Sequence, residues 1–335
     1  MLFRSMISVK HLTKYYGDFL AVDDLSFTID EGHVYGFLGP NGAGKTTTMN
    51  IMSGCLSATA GCVEIGGFDI FTDAMQAKQL IGYLPEQPPL YMNETPEEYL
   101  RFVGEAKGLK KAELELQVRQ VIEQVRIRDV CGQRISSLSK GYKQRVGIAQ
   151  ALLGNPKVII LDEPTVGLDP LQIIEIRDLI RQLGQEHTVI FSSHILSEVQ
   201  AICDRILIIA HGKLIAFDKP DNLEKRLLAD SGIVFTTDAP AAVVREILSS
   251  VQDITDAVIH EPDHGLVTAE VKTGSSDIYA VSRSLFFAFA DKKQALLELK
   301  LQKASLEDIF IELTDDSDPA AQADAAHPES EVEQA

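Results

Sequence analysis

The octapeptide GPNGAGKT, Gly39–Thr46, matches the spacing G-x-x-x-x-G-K-[ST] at every position. Glycines let backbone N–H groups turn inward around phosphate oxygens. Lys45 brings a point charge to the terminal phosphates, and the Thr46 hydroxyl reaches a magnesium ion. A second stretch, VIILDEP at Val158–Pro164, is an apolar run that ends in two acids. A buried strand ending in Asp162 puts a carboxylate at the sheet edge where Mg²⁺ is held, and Glu163 next to it is suited to orient water against a γ-phosphate. Alone, such a run reads as a buried strand with two solvated acids; the phosphate loop upstream favours the catalytic reading. A third stretch, LSKGYKQR at Leu138–Arg145, sets Ser139 and Gly141 at what reads as a helix start. That is a second place suited to an anion, far along the chain from the first.

These residues need elements to hold them. HVYGFLG reads as an apolar strand running into the glycine-rich turn, and KTTTMNIMSG as the helix after it, closed by Gly54. ISVKHL, DDLSFTI, KVIILD, HTVIFSS and DRILIIA read as further strands. Strands alternating with helices over residues 1–220 predict an α/β fold with a largely parallel, buried sheet. Within it, about 90–153 reads as a helical subdomain. TPEEYLRFVGEAKGL opens with Thr95 as cap, Pro96 at the first helical position and Glu98 three residues after the cap, a capping box. Beyond Pro220, GIVFTT, APAAVVREILSSV, DAVIH, LVTAEVK, SDIYAVSRSLFFAFA and ALLELKLQ run in the order β-α-β-β-α-β. That is the ferredoxin-like order, and it predicts a small α+β domain over 221–314. SLEDIFIELT, capped by Ser305, reads as a last helix. SLFFAFA is too short to span a bilayer and reads as a buried helix face.

The phosphate loop, LSKGYKQR, LDEPTVGLD and a later strand ending in His194 (VIFSSH) occur in that order. In this, the stretch from about Ile7 to Phe217 resembles an ATP-binding subunit of an ABC transporter. The resemblance implies a P-loop NTPase fold: a RecA-like core with a helical subdomain and an antiparallel β subdomain. It implies a nucleotide site made of Gly39, Pro40, Asn41, Gly42, Ala43, Gly44, Lys45, Thr46 and Thr47. Tyr16 in KYYGDF matches the adenine-stacking aromatic, with Tyr15 as the alternative. Leu138, Ser139, Gly141 and Gln144 match the signature, Gly167–Asp169 the dimer-contacting D-loop, and His194 the switch histidine. A histidine at a strand end is, on its own, more often a cap or core residue. Lys45, Glu163 and His194 are thus the expected catalytic residues. Two departures stand out. Lys140 takes the place of the first of two glycines in the signature, and in YLPEQPPLY the register puts Glu86, not Gln87, at the position of a Mg²⁺-sensing glutamine. Both are carried forward, with Thr46, Asp162 and Gln87 as the expected Mg²⁺ set. The signature of one copy is implied to face the ATP of a second, so a homo- or heterodimer is expected, closed head to tail over two ATPs. Closure drives a separate transmembrane permease. The SLEDIFIELT ending is similar to that of ATPases from drug-efflux, lipid or polysaccharide export and gliding-motility systems, which implies export.

Composition narrows the alternatives. The formal charge is −18 over 335 residues, and the last 21, from Asp315, hold seven acids and no Lys or Arg. That segment, 315–335, reads as a disordered acidic tail. So acidic a chain is a poor polyanion binder, and nucleic acid is not an expected partner. A soluble ABC ATPase acting on DNA or ribosomes is the alternative; the charge, the single cassette and the short interval between P-loop and signature weigh against it. A P-loop kinase would have no use for LSKGYKQR. No apolar run approaches a membrane span and the start lacks the long apolar core of a secretion signal. The expected location is cytoplasmic, at the inner face of the cell membrane through the permease. Cys55, Cys62, Cys131 and Cys203 are scattered and are expected as reduced, mostly buried thiols. HEPDH, His260–His264, mimics the H-E-x-x-H of zinc peptidases, but Pro262 and Gly265 deny it the helix that the chemistry requires.

Overall fold

The computed structural model describes residues 5–227, 232–260, 265–275 and 277–302. The helix expected at Ser305, the acidic tail and four of the five residues of HEPDH lie outside them. The chain divides into two compact units, Met1–Pro220 and Asp221–Ala335.

In the first unit, β1 (Ser5–Tyr16) and β2 (Phe19–Asp30) form a hairpin, and β3 (Val34–Leu38) leads through Gly39–Gly44 into α1 (Lys45–Met52). β4 (Ala60–Ile65) and β5 (Phe68–Asp69) join the hairpin in an antiparallel sheet of order β2-β1-β4-β5. α2 (Ala74–Gln79) and β6 (Ile81–Leu84) precede three helices, α3 (Pro96–Ala106), α4 (Lys111–Gln124) and α5 (Lys140–Leu152). Then come β7 (Val158–Leu161), α6 (Pro170–Leu183), β8 (Thr188–Ser193), α7 (Leu196–Ile202), β9 (Arg205–Ala210) and β10 (Lys213–Asp218). The second sheet has the order β10-β9-β3-β8-β7-β6, parallel except for β10.

Every residue of β3, β7 and β8 is buried, as their unbroken runs require of parallel strands covered on both faces. The first two expected strands leave that sheet for the antiparallel one, where β2 alternates exposed and buried positions from Asp24 to Ile29. Sequence reading passed over β4, β5, β6 and β10. β5 has two residues, β6 carries Gly82, and β10 is only half-buried, so none shows a strong strand period.

The capping box is in place: Thr95 Oγ1 accepts from Glu98 N, and the Glu98 carboxylate accepts from Thr95 N. Behind α3, Lys107 donates to the carbonyls of Gln150, Ala151 and Leu153 at the end of α5. Burial pushes the Lys107 pKa down to about 8.

α8 (Pro220–Leu227) begins at the last residue of the first unit. The second unit then contains β11 (Gly232–Thr237), α9 (Ala241–Ser250), β12 (Ile254–Ile259), β13 (Val267–Thr273), α10 (Ile278–Asp291) and β14 (Leu296–Gln302). Its sheet is antiparallel throughout, in the order β12-β13-β11-β14. Phe235, Ile247, Leu285 and Phe289 centre its core. The reading of SLFFAFA as a buried face needs correction. Leu285 and Phe289 are buried one helical turn apart, but Phe286 and Phe287 fall on the other side of α10 and are exposed. The thiols also differ from expectation: Cys203 is buried, Cys62 and Cys131 are half-buried, and Cys55 is exposed. Among the described residues no helix is long and apolar enough to cross a membrane.

Candidate functional site

Strand order brings the chemistry together. Leu38 of β3 pairs with Ser193 of β8, and Leu161 of β7 pairs with Phe191 of β8. The phosphate loop, the Asp162–Glu163 pair and His194 therefore leave the sheet side by side at its carboxyl edge, the place where open α/β sheets bind ligands. A cleft of about 440 Å³ opens there. Tyr16, Asn41 to Thr47, Glu86, Glu163 and His194 line it. Tyr15 and Gln87 are not among the residues that line it. A larger cavity of about 780 Å³ runs along α4 and holds none of the expected residues.

The loop is tight. Gly44 has φ +96°, and a Cβ there would lie 2.6 Å from the Ala21 carbonyl oxygen. α1 starts at Lys45 with no acid in its first turn, so its N-terminal N–H groups stay uncompensated. Lys45 is buried, donates to the carbonyls of Gly39 (2.8 Å) and Pro40 (3.1 Å), and lies 3.4 Å from Glu163 Oε1.

Asp162 is fully buried. Its Oδ1 accepts from Thr46 Oγ1 at 3.2 Å and from Ser192 Oγ at 2.6 Å. Its Oδ2 has no hydrogen-bond partner. Burial raises the Asp162 pKa; the two hydroxyl donors oppose this, while Glu163 and Glu86 reinforce it. An unmatched buried carboxylate oxygen beside a threonine hydroxyl suits a hard cation. Among the described residues no cluster of three or more acids, histidines or cysteines makes a metal cage. The Asp162–Thr46 pair fits Mg²⁺, which takes one or two protein carboxylates and fills its shell with phosphate oxygens and water.

Glu163 has φ +46°, a strained value for a residue with a Cβ. Its N–H donates to Ser192 Oγ at 2.7 Å, its Oε1 faces Lys45, and its Oε2 is 3.0 Å from His194 Nδ1. The carboxylate is thus clamped between two potential cations at the mouth of the cleft. Ser192 was not singled out from the sequence. It bridges the two acids only because β8 lies beside β7, and strand order cannot be read from one chain segment.

Ser139, Gly141, Gln144 and Asp169 all lie outside this cleft, and only Gly141 and Asp169 share a second one. Ser139 caps α5, accepting from Tyr142 N at 3.4 Å, and Asp169 caps α6, accepting from Gln172 N at 2.9 Å. Gly141, Asp169 and Gln172 line a separate cleft of about 340 Å³, which shares no residue with the first. A Cβ on Gly141 would lie 2.6 Å from the Gln172 amide carbon. Lys140 is exposed, and its Nζ sits against Gly167, 2.1 Å from where a Cβ would be. The extra charge therefore lies on the D-loop. Gln144 is buried with its Nε2 unpartnered.

Residues 22–166 match the family model described as ABC transporter. The chain is 33% identical over 310 residues to the linearmycin resistance ATP-binding protein LnrL of Bacillus subtilis, covering 92% of this chain and 98% of that one. It is 35% identical over 311 residues to the bacitracin transport ATP-binding protein BcrA of Bacillus licheniformis, covering 92% and 97%. Among solved structures, an ATP-binding subunit of an ABC transporter is similar with a TM-score of 0.60 at 30% identity, over 66% of this chain and 93% of that one. A dimeric ATP-binding cassette in a post-hydrolysis state, bound to ADP and Pi, is similar with a TM-score of 0.58 at 25% identity, over 64% and 98%. With a nucleotide cleft at the sheet edge and relatives aligned along nearly their whole length, this chain belongs to the ATP-binding proteins of the ABC transporter family, and it is an ATPase.

Proposed function

We propose that this chain drives export through a separate transmembrane permease, and that two copies, or this chain and a second ABC ATPase, close head to tail over two ATPs. The names of the relatives support export: one confers resistance to linearmycin and one serves bacitracin transport.

In the proposed site Tyr16 stacks on adenine, and the N–H groups of Gly39 and Asn41–Thr47 cradle the phosphates, with Pro40 shaping the loop between them. Thr46 and Asp162 hold Mg²⁺, with Glu86 in place of Gln87 on the cleft wall. Mg²⁺, when bound with ATP, offsets phosphate charge and draws charge from the leaving oxygen. Lys45 leaves its two carbonyls for the β- and γ-phosphates. Glu163, held by its backbone strain and by Ser192, accepts a hydrogen bond from water and aims it at the γ-phosphorus; the bond to the β-phosphate oxygen breaks, leaving ADP and Pi. His194 donates to the γ-phosphate. Ser139, Gly141, Gln144 and Asp169 of the other copy complete the pocket through hydroxyl, amide and helix N-terminus.

The single observation that carries this reading is the clamp on Glu163, between Lys45 and His194 and next to the unmatched oxygen of Asp162. Glu163→Gln is expected to cut turnover by about 10²–10⁴-fold while leaving ATP bound, and to trap an ATP-dependent dimer in light scattering. Rapid turnover by that variant sinks the reading. Purification from native membranes without a permease partner counts against the transport role.

For the second unit we propose a ferredoxin-like domain over 221–314 that contributes to dimer closure. Its support is the sheet order, in which the first and third strands are central and the second and fourth are edges. Truncation at Ser231 that leaves dimerisation and turnover untouched disposes of this role.

A further inference from the structure

We infer that Glu198 is a positioning residue: its buried carboxylate latches the loop that carries Glu163 to the strand end that carries His194. Glu198 lies on α7, is 1% exposed, and does not line the nucleotide cleft. Its Oε2 accepts from Thr165 Oγ1 at 2.7 Å and from Ser193 Oγ at 3.0 Å. Thr165 follows Glu163 by two residues, and Ser193 immediately precedes His194. Its Oε1 lies 3.6 Å from Nη2 of Arg177 on α6.

Burying a carboxylate is costly unless its oxygens are matched, and an apolar residue would fill the same space at less cost. Here two hydroxyls and one guanidinium converge on a single side chain, from three segments that are not neighbours in sequence. The latch also sets a local turn. Ser193 Oγ donates to Glu198 at 3.0 Å, with the Ile195 carbonyl a longer alternative acceptor at 3.4 Å, and the same oxygen accepts from Ile195 N at 3.0 Å. That turn encloses His194 and holds its Nδ1 toward Glu163. Arg177 adds a link outward: α6 begins at the Asp169 cap, in the cleft that faces a second copy under the proposed reading. The latch therefore joins the partner-facing helix to the pair that acts on water.

The inference rests on the roles of Glu163 and His194 proposed above, and its test separates the two. Steady-state ATP hydrolysis and nucleotide binding are measured on the full chain. Glu198→Gln is expected to lower kcat by about 10- to 100-fold, the loss that a shift of about 1 Å in catalytic geometry produces, with KM for ATP within about twofold. Thr165→Val, which removes the hydroxyl at nearly constant volume, is expected to lower kcat in the same way. The double variant is expected to be no worse than Glu198→Gln alone, and Thr165→Ser to keep the parental kcat. Parental turnover in Glu198→Gln overturns the latch. So does a Thr165→Ser variant as impaired as Thr165→Val, since a role in packing alone would not distinguish them by the hydroxyl. Should Glu198→Gln not fold, the two Thr165 variants decide. Glu163→Gln is the control: turnover surviving in it removes the proposed site chemistry, whereas turnover lost there and intact in Glu198→Gln removes only the latch.

Discussion

The cleft around Lys45 and the cleft at the start of α5 are built on opposite plans. In the first, the acids are met within the chain: Lys45 and the His194 ring flank Glu163, while the Thr46 and Ser192 hydroxyls donate to Asp162. In the second, Arg145 and Glu175 on the cleft wall pair with each other at 2.6 Å, while the first turn of α5 has no acid to meet its dipole and carries Lys140 and Lys143. The difference teaches that, on the proposed reading, one chain holds two unlike halves of two different pockets.

The strongest way to break this comparison is complementation. Lys45→Ala and Gly141→Asp are each expected to abolish turnover. A mixture of the two contains dimers with one intact pocket, so activity is expected to return, up to about a quarter of the parental level for a statistical mixture. If the halves acted within one chain, mixing would restore nothing.

Asp162→Asn probes the inner half. Its unpartnered oxygen becomes part of an amide and the cation loses a charged ligand. Mg²⁺-dependent ATP binding is expected to weaken by about 10- to 100-fold, with Mg²⁺-free binding little changed, as read by nucleotide titration.

Tyr16→Ala is expected to weaken ATP binding by about 1–3 kcal/mol, the usual worth of a base–aromatic stack, whereas Tyr15→Ala stays within twofold. The reverse ranking returns the role to Tyr15.

The smallest effect concerns the far end of α5, where Lys107 is tied to three carbonyls. Its folded pKa, about 8, lies below its value of 10.5 in the free chain. Between those values the unfolded chain binds the extra proton, so stability rises with pH through that window. Below pH 8 both states are charged and the burial penalty is present in full. Lys107→Met removes the slope; because the side chain is exposed, the parent's thermal midpoint relative to that variant is expected to rise by only about 1 °C from pH 8 to 10.

What was legible in the sequence was local. The Gly39–Thr46 cradle, the capping box at Thr95–Glu98 and the helix cap at Ser139 depend on residues a few positions apart, so their chemistry is written in consecutive letters. The β-α-β-β-α-β order after Pro220 could be read for the same reason, because period and turn signals act over short spans. Only the tertiary structure placed Tyr16 and Glu86 on the cleft wall and left Tyr15 and Gln87 off it. It alone set Ser192 between the two acids, Lys140 on the D-loop, and Glu198 against both Thr165 and Ser193. Apart from the local Glu198–Ser193 bond, those contacts come from strand order and from side chains meeting across about 30 residues of chain. Such pairings are decided by which buried surfaces fit together over the whole core, and no short stretch of the sequence carries that information.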